Sequence, residues 1–179
     1  NRYPDITIEQ AYAIQQRMLL RRQQDGERIV GKKIGVTSAA VMNMLGVHQP
    51  DFGWLTDAMI VNQGESIDIS TLIQPKAEAE LAFVLERDLI GPGITATDVI
   101  RATAYVSPCF EIVDSRIQDW KIKIQDTVAD NASCGVFLLG DAAGLLVGTR
   151  HIDRIADPRR FFFLMQGLAT ALALAGAWF

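Results

Sequence analysis

The segment Pro75-Lys76-Ala77-Glu78-Ala79-Glu80-Leu81-Ala82-Phe83-Val84-Leu85 predicts a β-strand from Ala77 onward. Side chains alternate between the two faces of a strand, so Glu78 and Glu80 share one face. Two like charges on so apolar a strand repel each other, and each needs a partner if it is buried. A divalent cation with oxygen ligands would satisfy both carboxylates. A half-exposed strand with both glutamates on its wet face is the simpler explanation of this spacing alone.

A third carboxylate lies in an equally apolar segment further along the chain. Residues 105–115 read Tyr-Val-Ser-Pro-Cys-Phe-Glu-Ile-Val-Asp-Ser, and Glu111 stands between Phe110 and Ile112. Together with Glu78 and Glu80 it offers three oxygen ligands and leaves coordination positions open for water or a substrate. Magnesium and manganese sites are typically built in this way. With all three carboxylates, the sequence favours a metal site over a purely structural explanation.

Composition limits the class of protein. The chain has 179 residues, 49% hydrophobic and 21% charged, which is typical of one globular domain. Its net charge of -4, without a basic run, argues against a nucleic-acid-binding protein. Two cysteines without a CxxC pair and two histidines give little support to zinc–thiolate, disulfide or histidine-built sites. We expect a reducing, cytoplasmic location, since no signal peptide is visible, and a processed chain or a fragment, since the first residue is not Met.

The amino-terminal part predicts a helix followed by a strand. Thr7-Ile8-Glu9-Gln10 has the form of a capping box, and apolar residues then recur at helical spacing until Asp25-Gly26. Residues 28–36 read as a strand in which alternation places Lys32 and Lys33 on opposite faces. A lysine that points into an apolar pocket can have a lowered pKa and serve as an acid or base. Two solvated lysines are the simpler explanation of the spacing alone.

The next segment predicts a short helix, a loop and two short strands. Ser38 caps a helix over residues 39–45. We interpret residues 47–55 as a loop that can place Asp51 over a site, although an aspartate after a proline is commonly only a turn residue. Short strands are expected at residues 59–61 and 67–69.

The remaining part predicts one more helix, a polar loop and a strand. Thr95 or Thr97 caps a helix that reaches about Thr103. Residues 126–135 are polar and loop-like, and a strand follows at residues 136–139. Such a loop can supply hydroxyl and amide donors to a ligand, and a turn with an Asx cap explains it equally well.

Five motifs follow one another within residues 1 to about 141. They are Gly31-Lys32-Lys33-Ile34-Gly35-Val36-Thr37-Ser38, Gln49-Pro50-Asp51-Phe52-Gly53, Glu78-Ala79-Glu80-Leu81-Ala82-Phe83, Glu111-Ile112-Val113-Asp114-Ser115-Arg116-Ile117 and Asp126-Thr127-Val128-Ala129-Asp130-Asn131-Ala132-Ser133-Cys134-Gly135. In this combination the chain resembles the 2-hydroxypenta-2,4-dienoate (2-oxopent-4-enoate) hydratases of the fumarylacetoacetate hydrolase superfamily.

The resemblance implies an α+β fold of the fumarylacetoacetate hydrolase C-terminal-like type, a mixed, mostly β roll or barrel with flanking helices. It implies metal-dependent hydration of 2-hydroxypenta-2,4-dienoate to 4-hydroxy-2-oxopentanoate in the meta-cleavage degradation of aromatic compounds. The implied ligands of a magnesium or manganese ion are Glu78, Glu80 and Glu111. The implied catalytic residues are Lys33, Asp51 and Ser133. Relatives are commonly homo-oligomers, and some pair with an enzyme of the same pathway.

Two alternatives stay open. The 4-oxalocrotonate decarboxylases share the metal site, but they usually have an apolar residue where Asp51 stands, and the run from Trp120 to Asp126 is also more similar to hydratases. Release of carbon dioxide would identify a decarboxylase. The other alternative is an inactive, incomplete domain that persists as a binding or structural module, which loss of metal affinity or of a cooperative melt would support.

The resemblance ends at about Gly140, so we divide the chain into a partial catalytic domain, 1–141, truncated at its C-terminus, and a divergent segment, 142–179. Residues 161–179 carry no charge and follow Arg159 and Arg160, so their length nominally suits a membrane span. A soluble family fold argues against a span and against a membrane partner. A packed helix, a shortened chain, a shifted reading frame or an internal deletion remain as explanations.

Overall fold

The computed structural model describes residues 5–140, which form an α+β arrangement. The helices are α1 (Ile8–Gln24), α2 (Ala39–Leu45), α3 (Ala96–Ala102) and α4 (Ile124–Ala129). The strands are β1 (Ile29–Gly35), β2 (Asp51–Thr56), β3 (Pro75–Leu85), β4 (Thr103–Asp114) and β5 (Cys134–Leu139). Short 3-10 turns lie at Asp57–Met59, Ile69–Thr71, Gln118–Trp120 and Asn131–Ser133.

Helix α1 begins as its sequence predicts. The Gln10 N–H donates to Thr7 Oγ1 at 3.2 Å, and the Thr7 N–H donates to Gln10 Oε1 at 3.0 Å. These two bonds satisfy donors that the first helical turn leaves open. Ala11 then packs with Ile124 and Val128 in a buried cluster, which joins α1 to α4.

The predicted loop over residues 47–55 is wrong in its second half, because residues 51–56 form strand β2. β2 pairs antiparallel with β1, and the register sets Gly35 opposite Asp51 and Lys33 opposite Gly53. Aspartate and glycine give the segment a turn-like composition, but strand pairing outweighs local preference. Asp51 is therefore held in a sheet rather than in a loop.

The two short strands expected at residues 59–61 and 67–69 are also wrong. The first segment holds one isolated bridge, between Ile60 and Phe137. The second runs into the 3-10 turn at Ile69, where the Asp68 carboxylate accepts the Ser70 N–H at 2.9 Å. Local side-chain bonds of this kind compete with strand pairing.

The polar segment 126–135 is not a loop, since α4 occupies its first part and the 3-10 turn Asn131–Ser133 follows. The Asp126 carboxylate accepts the Lys123 N–H at 2.9 Å and closes a capping arrangement at the start of α4. Ile124 and Val128, four residues apart, bury one face of this short helix against α1. Tertiary packing therefore stabilises a helix that the polar composition of this segment does not predict.

Strands β3, β4 and β5 form one sheet in that order. They confirm the strands expected around Glu78 and Glu80, around Glu111, and at residues 136–139. Of the two caps considered for α3, Thr95 is the one used, and its Oγ1 accepts the Asp98 N–H at 3.3 Å. The residues that carry the candidate metal ligands thus lie on neighbouring strands.

The chain divides into two compact units. Within the described residues, one comprises residues 5–77 and 112–137, and the other comprises residues 78–111 and 138–140. The expected division at residue 141 and the apolar segment 161–179 lie outside the described residues.

Within residues 5–140, none of the helices combines the length and the apolar character that a membrane crossing needs.

Candidate metal centre and acid/base cluster

The three predicted carboxylates converge. Glu78 and Glu80 extend from β3 and Glu111 from β4, and one oxygen of each lies within 4.8 Å of the others. Oxygens on opposite sides of a magnesium ion are about 4.2 Å apart, so small rotamer changes would bring the three carboxylates around one ion. The side chains range from exposed at Glu78 through half-buried at Glu80 to 2% exposed at Glu111.

The negative charges of this cluster affect its neighbour Cys109. Cys109 precedes Glu111 by two residues on β4 and so shares its face. Burial raises the pKa of the Cys109 thiol to about 11, and the charges of Glu80 and Glu111 add to the rise. A cation would remove the repulsion between these carboxylates, and a set of hard oxygen donors selects magnesium, manganese or calcium over soft metals. The residues present therefore fit a divalent cation.

The two lysines of β1 face opposite sides, as alternation predicts. Lys32 is exposed, and its Nζ lies 4.4 Å from the centre of the Trp54 ring. Lys33 is only 8% exposed, and its Nζ donates to the Ala132 carbonyl at 3.0 Å. The inward-facing lysine is thus Lys33, held by the turn that precedes β5.

Asp51 approaches the same lysine from β2. Its side chain is 3% exposed, and its Oδ1 has no hydrogen-bond partner among residues 5–140. A Cβ atom on Gly35 would overlap Asp51 Oδ1 and would lie 3.5 Å from Lys33 Nζ. Both groups therefore converge on the space that Gly35 leaves open, which is the arrangement an acid/base pair needs.

Tyr12, on helix α1, is a neighbour of Asp51. Burial raises the pKa of the Tyr12 hydroxyl, the Phe52 N–H partly offsets this, and the Asp51 charge raises it further. The helical pattern shows that Tyr12 faces inward, but it cannot show which strand the ring meets. The hydroxyl therefore stays protonated beside the Asp51 carboxylate.

Ser133 lies at the end of the 3-10 turn Asn131–Ser133, which we call the 131–133 turn. It is 3% exposed, and its Oγ has no hydrogen-bond partner within the described chain. All three residues of the turn are left-handed, with φ of 57°, 51° and 53° for Asn131, Ala132 and Ser133. Consecutive left-handed residues other than glycine are strained, and such strain is concentrated at functional sites.

An ion pair secures the residue just before this turn. The Arg116 N–H donates to Asp130 Oδ2 at 3.0 Å, and Arg116 Nε lies 3.4 Å from Asp130 Oδ1. The Arg116 guanidinium also donates to the Cys134 carbonyl at 3.1 Å. Burial raises the pKa of Asp130, and Arg116 partly counteracts this. No local spacing in the sequence reveals this support, because its partners are far apart along the chain.

Comparison with known proteins decides the family. The chain is 66% identical to a 2-hydroxypent-2,4-dienoate hydratase of Pseudomonas putida over 152 residues, which cover 84% of this chain and 67% of the relative. The chain belongs to the 2-hydroxypenta-2,4-dienoate hydratase family. It is also 61% identical to a 2-hydroxyhexa-2,4-dienoate hydratase of Comamonas testosteroni over 140 residues, which cover 77% of this chain and 53% of that relative.

A solved structure supports the fold. The 4-oxalocrotonate decarboxylase from Pseudomonas putida G7, complexed with magnesium and adipate, matches with a TM-score of 0.75 and 42% identity. The match covers 78% of this chain and 53% of the decarboxylase. A scan against protein-family models finds no match for this chain. The hydratase-family chain thus spans two thirds of the first relative's length and about half that of the others compared here.

Proposed function

We propose that this chain carries the catalytic groups of a hydratase that adds water to 2-hydroxypenta-2,4-dienoate and yields 4-hydroxy-2-oxopentanoate. The observation that carries the proposal is the convergence of Glu78, Glu80 and Glu111, because three carboxylates within 4.8 Å of one another suit a divalent cation. Membership in the hydratase family supplies the reaction class. The relatives differ in whether their substrate has five or six carbons, so the substituent on the dienoate stays open.

The three carboxylates are the proposed ligands of magnesium or manganese. Such an ion supplies Lewis-acid stabilisation of negative charge on the oxygens of a 2-oxo acid. The solved decarboxylase relative contains magnesium, which supports this assignment. The ion would leave the carboxylates free of mutual repulsion at neutral pH.

The acid/base steps are assigned to the cluster around Gly35. Lys33 holds a proton on Nζ and is proposed to deliver it to C5 of the dienoate, which gives an unsaturated 2-oxo acid. Asp51 is proposed to accept a proton from water as the oxygen adds to C4. The C2 hydroxyl loses its proton as the 2-oxo group forms, and C3 takes up a proton after the oxygen has added to C4. The sum is one added water molecule, with hydrogen on C5, hydroxyl on C4, and a proton on C3 that replaces the one lost from the C2 hydroxyl. Ser133 is proposed to orient the substrate or the water through its buried hydroxyl.

Steady-state kinetics on the full chain tests these roles. We expect kcat to fall about 10²–10⁴-fold in Asp51→Asn and in Lys33→Met, the range typical of a lost general acid or base. Lys32→Met is the matched control, because Lys32 neighbours Lys33 but is exposed, and it should keep the parent rate. Parent rates in both Asp51→Asn and Lys33→Met would end the assignment.

A decarboxylase is the second candidate, favoured by the 42% identity to a solved 4-oxalocrotonate decarboxylase. The two reactions differ in a product that is easily measured. In an incubation with 4-oxalocrotonate, release of carbon dioxide above the rate in buffer alone indicates a decarboxylase. In a separate incubation with 2-hydroxypenta-2,4-dienoate, loss of the dienoate absorbance without release of carbon dioxide indicates hydration. The proposed catalytic part is 1–141, and a cytoplasmic location, a homo-oligomer and a pathway partner remain predictions.

A further inference from the structure

We propose that Asn131 is a positioning residue, whose side-chain amide fixes the 131–133 turn on β2 and thereby holds the Lys33 ammonium in place. Its kinetic consequence rests on the proposed function, in which Lys33 delivers a proton. Its structural consequence can be measured without any substrate.

The Asn131 amide imitates a neighbouring strand. The Trp54 N–H donates to Asn131 Oδ1 at 2.8 Å, and Asn131 Nδ2 donates to the Trp54 carbonyl at 2.9 Å. In an antiparallel strand the N–H and carbonyl of one residue point to the same side, so a single amide can satisfy both. Asn131 is 8% exposed, which makes these bonds costly to lose.

The turn lies directly on the strand, with no side chain between them. A Cβ atom on Gly53 would be 2.6 Å from the Asn131 carbonyl oxygen. Glycine at position 53 therefore permits the approach, and the two amide bonds of Asn131 maintain it. They also help to offset the backbone strain of three left-handed residues in succession.

Lys33 depends on this contact through one carbonyl. Its Nζ donates to the oxygen of Ala132, the central residue of the turn, at 3.0 Å. Its aliphatic stem passes Gly53, where a Cβ would be 3.0 Å from Lys33 Cγ. Release of Asn131 from Trp54 would let the turn move and would separate the Ala132 carbonyl from the ammonium.

Asparagine suits this position for two reasons. It tolerates the left-handed conformation better than most residues, and its amide carries both a donor and an acceptor. Asn131→Gly keeps the conformational tolerance and removes both bonds to Trp54. Asn131→Asp keeps the acceptor and replaces the donor by an oxygen that faces the Trp54 carbonyl. These variants therefore isolate the amide from the backbone conformation.

The first measurement is acylation of lysines in the full chain, mapped by mass spectrometry. We expect Lys33 to be acylated several-fold faster, relative to the exposed Lys121, in Asn131→Gly and Asn131→Asp than in the parent. Alkylation of Cys134, which is 0% exposed, reports whether the whole core has loosened. Asn62→Gly is the control, since it removes the side chain of an exposed asparagine that bonds to the nearby Glu65. An unchanged ratio for Lys33, or an equal rise for Cys134, would overturn the proposal.

The second measurement is a double-mutant cycle on kcat. If Asn131 acts through Lys33, Asn131→Asp should lower kcat by up to about 10²-fold in the parent and have little effect in Lys33→Met. Equal effects in both backgrounds would overturn the role through Lys33. If the parent itself does not hydrate the dienoate, the proposed function fails, while the acylation ratios still decide whether Asn131 holds Lys33.

Discussion

Gly53→Ala should disturb the contact between β2 and the 131–133 turn. Among the three glycines of β1 and β2, this is the one where an added methyl group would meet the turn. The new Cβ would lie 2.6 Å from the Asn131 carbonyl oxygen and 3.0 Å from Lys33 Cγ. The Asn131 carbonyl oxygen belongs to the backbone, so it cannot rotate away from the new methyl group as the end of a side chain can. The strand and the turn must therefore separate.

The geometry sets the magnitude. An ordinary contact begins at 3.4 Å, so the strand and the turn must move apart by about 0.8 Å. Overpacking of this kind costs about 1–3 kcal/mol, which corresponds to a melting temperature lower by about 2–12 °C for a chain of this size. A displacement of this size at Lys33 would also lower kcat by up to about 10²-fold.

Thermal melts of the full chain, followed by circular dichroism, provide the assay. Gly31→Ala is the matched control, because it adds the same methyl group to β1 where the nearest atom, Leu55 Cδ1, is 3.6 Å away. We expect Gly31→Ala to melt within about 1 °C of the parent. If Gly53→Ala melts with Gly31→Ala, the close packing of turn on strand is refuted.

Three further predictions follow from other contacts. Gly35→Ala should keep the melting temperature but lower kcat, because its methyl group meets the end of the Asp51 side chain, which can rotate away from its productive position. Gln15→Leu should lower the free energy of unfolding in urea by about 1–3 kcal/mol, because it removes the donor to the buried Val128 carbonyl and to the partly buried Phe52 carbonyl, whereas the exposed Gln16→Leu should not. Cys109 should react slowly with iodoacetamide at pH 8, since a pKa of about 11 leaves little thiolate, and the rate should rise with pH up to about 11; a plateau near pH 9 would contradict this.

The candidate metal centre could be predicted from sequence because its information is local. Alternation along β3 places Glu78 and Glu80 on one face, and the apolar neighbours of Glu111 mark a buried strand. The same alternation places Lys32 and Lys33 on opposite faces, but only the structure shows that Lys33 is the one that faces inward. What alternation cannot supply is the order of strands, so the convergence of Glu111 with the other two carboxylates required the structure.

The proposed acid/base cluster around Gly35 was predicted less completely. Asp51 was expected in a loop because proline and glycine surround it, but pairing with β1 makes it the first residue of a strand. Asn131 contacts Trp54, 77 residues away, and no periodic pattern encodes such a bond. Such long-range hydrogen bonds between a side chain and the backbone depend on the tertiary structure. The sequence therefore identified Asn131 as part of a motif, but it did not reveal the partner of its side chain.

Isothermal titration calorimetry, with manganese titrated into the full chain, tests most directly the central claim that three carboxylates form a metal site. The parent should bind one ion through Glu78, Glu80 and Glu111, and Glu111→Gln should bind at least about tenfold more weakly. Glu86→Gln serves as the control, since Glu86 is exposed one residue beyond β3. Loss of affinity in Glu111→Gln with parent affinity in Glu86→Gln is the result the account predicts. Equal affinity in the parent and Glu111→Gln, or no binding by the parent, would contradict the three-carboxylate metal site.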